Sequence, residues 1–141
     1  MILGIDHVGI AVRDAADAAA TFSRLTADPA GAVEPLPEQG VRVCFVPAHA
    51  PVRFELLEPA VEGGVIDLFV RRRGEGVHHV CLVVDDVRAE MARLAGEGFQ
   101  LIDRQPRRGH GGMVAFLHPG SAHGVLIELL QRDQGRKTKD E

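Results

Sequence analysis

Apolar residues recur with the period of a strand, then of a helix, then of strands again, and this order occurs twice along the chain. Residues 5–12 are rich in β-branched side chains and predict a strand, after which Asp14 caps an Ala-rich helix running to about residue 25. Asp28-Pro29 and Gly31 break the chain. A short extended piece at 32–35 leads into the turn Pro37-Glu38-Gln39-Gly40. Residues 41–46 and 52–57 then predict a strand pair, and 65–72 a short linking helix. The second half predicts a strand at 76–84 and a helix at 86–97 with Val87, Met91 and Leu94 on one face. An extended piece at 99–102 precedes a Gly- and Arg-rich loop at 103–112, whose Gly109, Gly111 and Gly112 are expected to make a flexible lid. Strands at 113–117 and 125–130 close the pattern.

The repetition extends to individual residues. His7-Val8-Gly9-Ile10-Ala11-Val12 returns as His79-Val80-Cys81-Leu82-Val83-Val84, at an offset of 72 residues. Phe54-Glu55-Leu56-Leu57 returns as Ile127-Glu128-Leu129-Leu130, at an offset of 73. One module is used twice. The predicted fold class is α+β, with two tandem βαβββ modules forming one curled, barrel-like sheet around a metal site. A single domain is expected over 1–131, with module one at about 4–60, a linker helix at about 64–73 and module two at about 76–131. The polar residues 132–141 are expected to form a disordered tail.

In a strand, residues i and i+2 share a face, so His7 points with Gly9 and Ala11, and His79 with Cys81 and Val83. Small neighbours leave room beside each imidazole. Glu55 and Glu128 are each flanked by apolar residues, where an ionised carboxylate is costly to bury unless it is paired or bound to a metal. Taken singly, a His at a strand start is more often structural and a strand Glu more often solvated. Recurrence at matching positions favours a shared role. Two neutral imidazoles and two carboxylates suit a divalent Co, Ni, Mn, Zn or Fe ion, with coordination positions left for substrate oxygens. His78, adjacent to His79, is expected to face the other side of the strand and to serve packing or an interface.

Composition narrows the function classes. At 141 residues the chain is the size of one domain with a real core. Aromatics are 4% and the formal charge is −4, both against a nucleic-acid partner. No apolar run approaches the roughly 20 residues that span a membrane, and no basic-then-apolar leader begins the chain. The expectation is a cytoplasmic protein with no membrane or nucleic-acid partner. Cys44 and Cys81 lack a CxxC partner and are expected to be buried thiols.

At these residues the chain resembles the vicinal oxygen chelate (glyoxalase/bleomycin resistance/dioxygenase) superfamily and, within it, the methylmalonyl-CoA epimerases, over about residues 4–131. The His/Glu pattern is common to the superfamily. Glu38-Gln39-Gly40-Val41 and Gly74-Glu75-Gly76-Val77-His78-His79 are more specific to the epimerases. The resemblance implies a paired βαβββ fold, a homodimer and a divalent metal, cobalt first among the candidates. It implies His7, Glu55, His79 and Glu128 as metal ligands, with Glu55 ligating directly or through water, because its position is Gln in some members. Glu38 matches a proposed second catalytic carboxylate, which leaves Glu128 as the other proton-transfer group. The implied activity is that of an isomerase: epimerisation of methylmalonyl-CoA or a related 2-substituted malonyl-CoA. A glyoxalase I-type isomerase, an extradiol-type dioxygenase and a non-catalytic small-ligand-binding protein are the alternatives on the same fold. The repeat has one gap, since the position matching Glu38 in module two is Gly111. The expected site is therefore symmetric in its ligands and asymmetric in its bases. Arg71, Arg72, Arg73, Arg104, Arg107 and Arg108 are read as solvated charge before a CoA-phosphate site. Phe22-Ser23-Arg24-Leu25-Thr26 and Gly120 depart from the family pattern, away from the ligands.

Overall fold

The structure, a computed structural model, describes residues 1–134. It divides into two units, one of Asp6–His79 and one of Met1–Ile5 with Val80 onward.

In the first unit the elements are β1 (Ile2–Ala11, its first residues in the other unit), α1 (Ala15–Thr26), β2 (Glu34–Leu36), β3 (Val41–Val46), β4 (Arg53–Pro59) and α2 (Val65–Arg73). The strands lie in the order β2-β3-β4-β1, antiparallel except for the parallel pair of β4 and β1. Helix α1 starts where expected, because the Asp14 carboxylate accepts from Asp17 N at 3.0 Å and satisfies an amide that the helix cannot. Its Ala15, Ala19 and Phe22 pack on Cys44, Val46 and Leu56. Alternation along the strands sends their neighbours to the opposite face. There Val41, Val43, Leu57 and Ala11 meet Ile66 and Val70 of α2. Glu55 shares that second face with Leu57, opposite Phe45 on β3.

The second unit repeats the plan with β5 (Gly76–Val84, which begins in the first unit), α3 (Val87–Gly96), β6 (Arg107–Arg108), β7 (Gly112–Leu117) and β8 (Ile127–Arg132). Its strands lie in the order β5-β8-β7-β6, and only β5 and β8 are parallel. Asp86 caps α3 by accepting from Ala89 N at 3.1 Å. Val87, Met91 and Leu94 of α3 pack on Ala115, Leu117 and Leu129. The repeat is visible in the hydrogen-bond register. Gly9 pairs with Glu55, which pairs with Phe45; Cys81 pairs with Glu128, which pairs with Phe116. This is the expected α+β arrangement of two βαβββ modules.

Three expectations need correcting. The extended piece at 99–102 reduces to one bridge, Leu101 to Leu117. The Gly- and Arg-rich segment, expected as a loop, is a hairpin: Arg107 and Arg108 pair with Val114 and Met113, and Gly109 N donates to Gly112 O at 2.8 Å. Ion pairs of Arg107 with Asp103 (3.2 Å) and of Arg108 with Asp133 (2.7 Å) hold it down. Strand β8 takes in Arg132, the first residue of the expected tail, while residues 135–141 of that tail lie outside the described residues. Cys44 and Cys81 are buried and unbridged, as expected. No helix among the described residues is long and apolar enough to cross a membrane.

Candidate metal centre

The parallel pairing of β1 with β4 sets His7 beside Arg53 and Gly9 beside Glu55. His7 and Glu55 thus lie close together on the face that α2, not α1, covers. His79 enters from β5, and glycine at position 9 makes room for it. A β-carbon on Gly9 would fall 2.7 Å from His79 Nε2 and closer still to its Cε1 and Nδ1. Gly9 therefore acts as the floor on which the second imidazole rests.

The three side chains converge. His7 Nε2 lies 3.1 Å from His79 Nε2. Glu55 Oε1 lies 3.5 Å from the first nitrogen and 3.4 Å from the second. All three residues are buried. A circle through three atoms so spaced has a radius of about 1.9 Å, close to the 2.0–2.2 Å at which imidazole nitrogen and carboxylate oxygen bind a first-row divalent ion. The chemistry of the donors agrees with that geometry. His7 Nδ1 is 2.7 Å from Asp6 Oδ2, and an ionised carboxylate only accepts, so this ring carries its proton on Nδ1 and turns the Nε2 lone pair toward Glu55. A nitrogen lone pair and a carboxylate oxygen packed this closely repel each other unless a cation lies between them. The residues present therefore fit the divalent ion expected from the sequence.

Around the trio stand residues that the sequence reasoning missed. Asp6 is buried, with Arg53 Nη2 at 3.6 Å. The Arg53 guanidinium stacks 3.9 Å above the centre of the Phe45 ring, which meets His7 edge-on at 5.9 Å. His78 does pack, edge-on to Phe69 at 5.1 Å, but it does not turn away from the site. Its Nδ1 lies 2.9 Å from His79 Nδ1. Adjacent strand residues start on opposite faces, yet an imidazole reaches far enough sideways to bond its neighbour's ring. One signal was readable: Asp6 and His78 occupy equivalent places, each immediately before a ligand His.

The remaining candidates lie as follows. Glu128 belongs to the second unit, at the register position that Glu55 holds in the first. Glu38 is exposed on a short 3-10 turn, Pro37–Gln39, which Gly40 ends in the left-handed region at φ 64°.

Comparison with known proteins adds to this geometry. The family model for the Glyoxalase/Bleomycin resistance protein/Dioxygenase superfamily matches residues 6–116. The chain is 37% identical over 134 residues to the ethylmalonyl-CoA/methylmalonyl-CoA epimerase of Cereibacter sphaeroides, covering 93% of this chain and 99% of that one. It is 34% identical over 128 residues to the uncharacterized protein YqjC of Bacillus subtilis, covering 90% and 91%. Among solved structures it is similar to Streptomyces coelicolor methylmalonyl-CoA epimerase in complex with 2-nitronate-propionyl-CoA. The TM-score is 0.85 at 31% identity, with 95% of this chain and 97% of that one covered.

Proposed function

This chain belongs to the glyoxalase/bleomycin resistance protein/dioxygenase superfamily, and we propose that it is a metal-dependent epimerase of methylmalonyl-CoA or a related 2-substituted malonyl-CoA. The observation that carries this is the buried trio of His7 Nε2, His79 Nε2 and Glu55 Oε1, spaced to share one cation, in a chain 37% identical to an ethylmalonyl-CoA/methylmalonyl-CoA epimerase. Glu128 completes the ligand set from the equivalent strand of the second module. When bound, the ion, cobalt by preference, supplies Lewis-acid charge to the thioester oxygen on which negative charge develops.

The chain's own groups carry the proton. Glu38 removes the α-proton from one face: the C–H bond breaks, its electron pair moves onto the thioester carbonyl, and Glu38 becomes the neutral acid. Glu128, entering this direction as the neutral acid, gives its O–H proton to the other face: the electron pair returns to C2, the C–H bond re-forms with inverted configuration, and Glu128 is left as the carboxylate that ligation needs. The reverse reaction exchanges the two roles. Because Glu38 is exposed, its acquired proton exchanges with water between turnovers. Solvent deuterium should therefore enter the substrate at C2. The working form is taken to be a cytoplasmic homodimer.

The test is substrate-directed. Methylmalonyl-CoA, ethylmalonyl-CoA and a hemithioacetal are incubated separately with the cobalt-loaded protein in deuterated water, and loss of the acidic C–H proton is followed by NMR. Exchange well above the chelator-stripped background for a malonyl-CoA, with both stereoisomers appearing, is the expected result. Turnover of the hemithioacetal alone would contradict the epimerase assignment and identify a glyoxalase I-type isomerase.

A further inference from the structure

We propose that Asp6 and His78 are positioning residues of the metal centre. From the same place in the two repeats, each fixes the Nδ1–H tautomer of the ligand that follows it and turns that ligand's Nε2 toward the common ion. The inference rests on the metal-centre reading above and deepens it. Position 78 follows position 6 by the same offset that separates His79 from His7. The repeat thus reaches past the ligands to the groups behind them.

The two grips use different chemistry. At His7 the partner is a carboxylate, with Asp6 Oδ2 2.7 Å from Nδ1. Asp6 is itself held by Arg53 at 3.6 Å, and Arg53 lies flat on Phe45. At His79 the partner is a second imidazole, at 2.9 Å between Nδ1 atoms and with the two rings at 90°. Only one of those nitrogens can hold the shared proton. If His78 held it, His79 would carry its own proton on Nε2 and could not ligate. Ligation therefore requires His79 to donate and His78 to accept on Nδ1, keeping its proton on Nε2. Phe69 of α2, edge-on to His78 at 5.1 Å, holds the acceptor ring in place. A carboxylate partner makes its imidazole the stronger electron donor. His7 is accordingly the firmer ligand and His79 the weaker one.

The test reads metal affinity and metal spectrum, not turnover. Stripped protein is titrated with Co(II) against a chelator of known affinity, with the visible absorption recorded and the melting temperature of the metal-free form measured alongside. His78→Phe keeps a ring against Phe69 but removes the acceptor; it should bind cobalt about 10–100-fold more weakly, with an altered visible spectrum and an unchanged metal-free melting temperature. His78→Asn places an amide oxygen near the lost Nδ1 and should recover most of the affinity. Asp6→Asn, which keeps an acceptor but loses the charge, should fall between wild type and Asp6→Leu. Nitrogen NMR of the zinc-loaded protein should show both ligands metallated at Nε2 and protonated at Nδ1. Wild-type affinity in His78→Phe, or His79 bound through Nδ1, would overturn the inference and leave the metal centre standing. A wild-type chain that binds no divalent ion would overturn both.

Discussion

Gly9 is where one methyl group does most harm to the site. A β-carbon there meets the His79 ring, which is buried and held from behind by His78. Gly9→Ala should therefore displace His79 and weaken cobalt binding by at least tenfold, the lower end of what loss of a supporting contact costs. Chelator competition reads the effect, and circular dichroism should show the fold retained. Glu38 is the complementary case, exposed on its turn and outside the ligand trio. Glu38→Gln should leave cobalt affinity unchanged and slow C2 proton exchange by about 10²–10⁴-fold, the usual contribution of a positioned acid or base. At this scale the legible residues were His7, His79 and Glu55, which the structure brings together, while Glu128 repeats the register position of Glu55 in the other module. Asp6, Arg53 and His78 escaped because alternation alone places neighbouring side chains on opposite faces. It says nothing of how far a ring or a guanidinium reaches back.

Single elements carry stability that the site depends on. In β7, a β-carbon on Gly112 would overlap the backbone carbonyl of Gln131 on β8, and paired backbone cannot move aside cheaply. Gly112→Ala should cost about 1–3 kcal/mol, as overpacking does, and should lower the thermal midpoint measurably. Helix α3 is tied by Glu90, a buried carboxylate held by Arg93 at 2.8 Å and by the Met1 ammonium. The hydrogen bond from Arg93, and after it that from the Met1 ammonium, lowers the Glu90 pKa below the ordinary glutamate value. A carboxyl whose pKa is lowered on folding stabilises the fold above its unfolded value, and that stability fades as pH falls through the folded one. Glu90→Gln should accordingly melt below wild type at neutral pH, with the gap closing in acid. Elements with strong alternation or a capping Asp, such as β3, β5 and α1, were legible almost to the residue. Strand β6 was not. Its two residues are both arginine, with no apolar face to betray a strand, and ion pairs to Asp103 and Asp133 hold the hairpin.

At the scale of the whole molecule, duplication explains why so much could be read from so little. Two modules with the same strand registers present a Glu at matching places, and each module opens with a His behind which a polar partner stands. The sequence symmetry stops at Glu38, whose matching place is held by Gly111, and in the proposed mechanism this makes the two proton-transfer groups unlike. Such asymmetry suits a reaction in which one face loses a proton and the other gains one. The central claim, that a divalent ion held at His7, Glu55, His79 and Glu128 makes the α-proton of a malonyl-CoA labile, is tested by one titration. Co(II) is added stepwise to stripped protein in deuterated water, while visible absorption reports the ion bound and NMR reports C2 exchange in methylmalonyl-CoA. The expected result is exchange that rises in proportion to bound cobalt and levels off at about one ion per chain. Cobalt bound in full with exchange still at the uncatalysed rate, or exchange as fast in the stripped protein as in the loaded one, would contradict it.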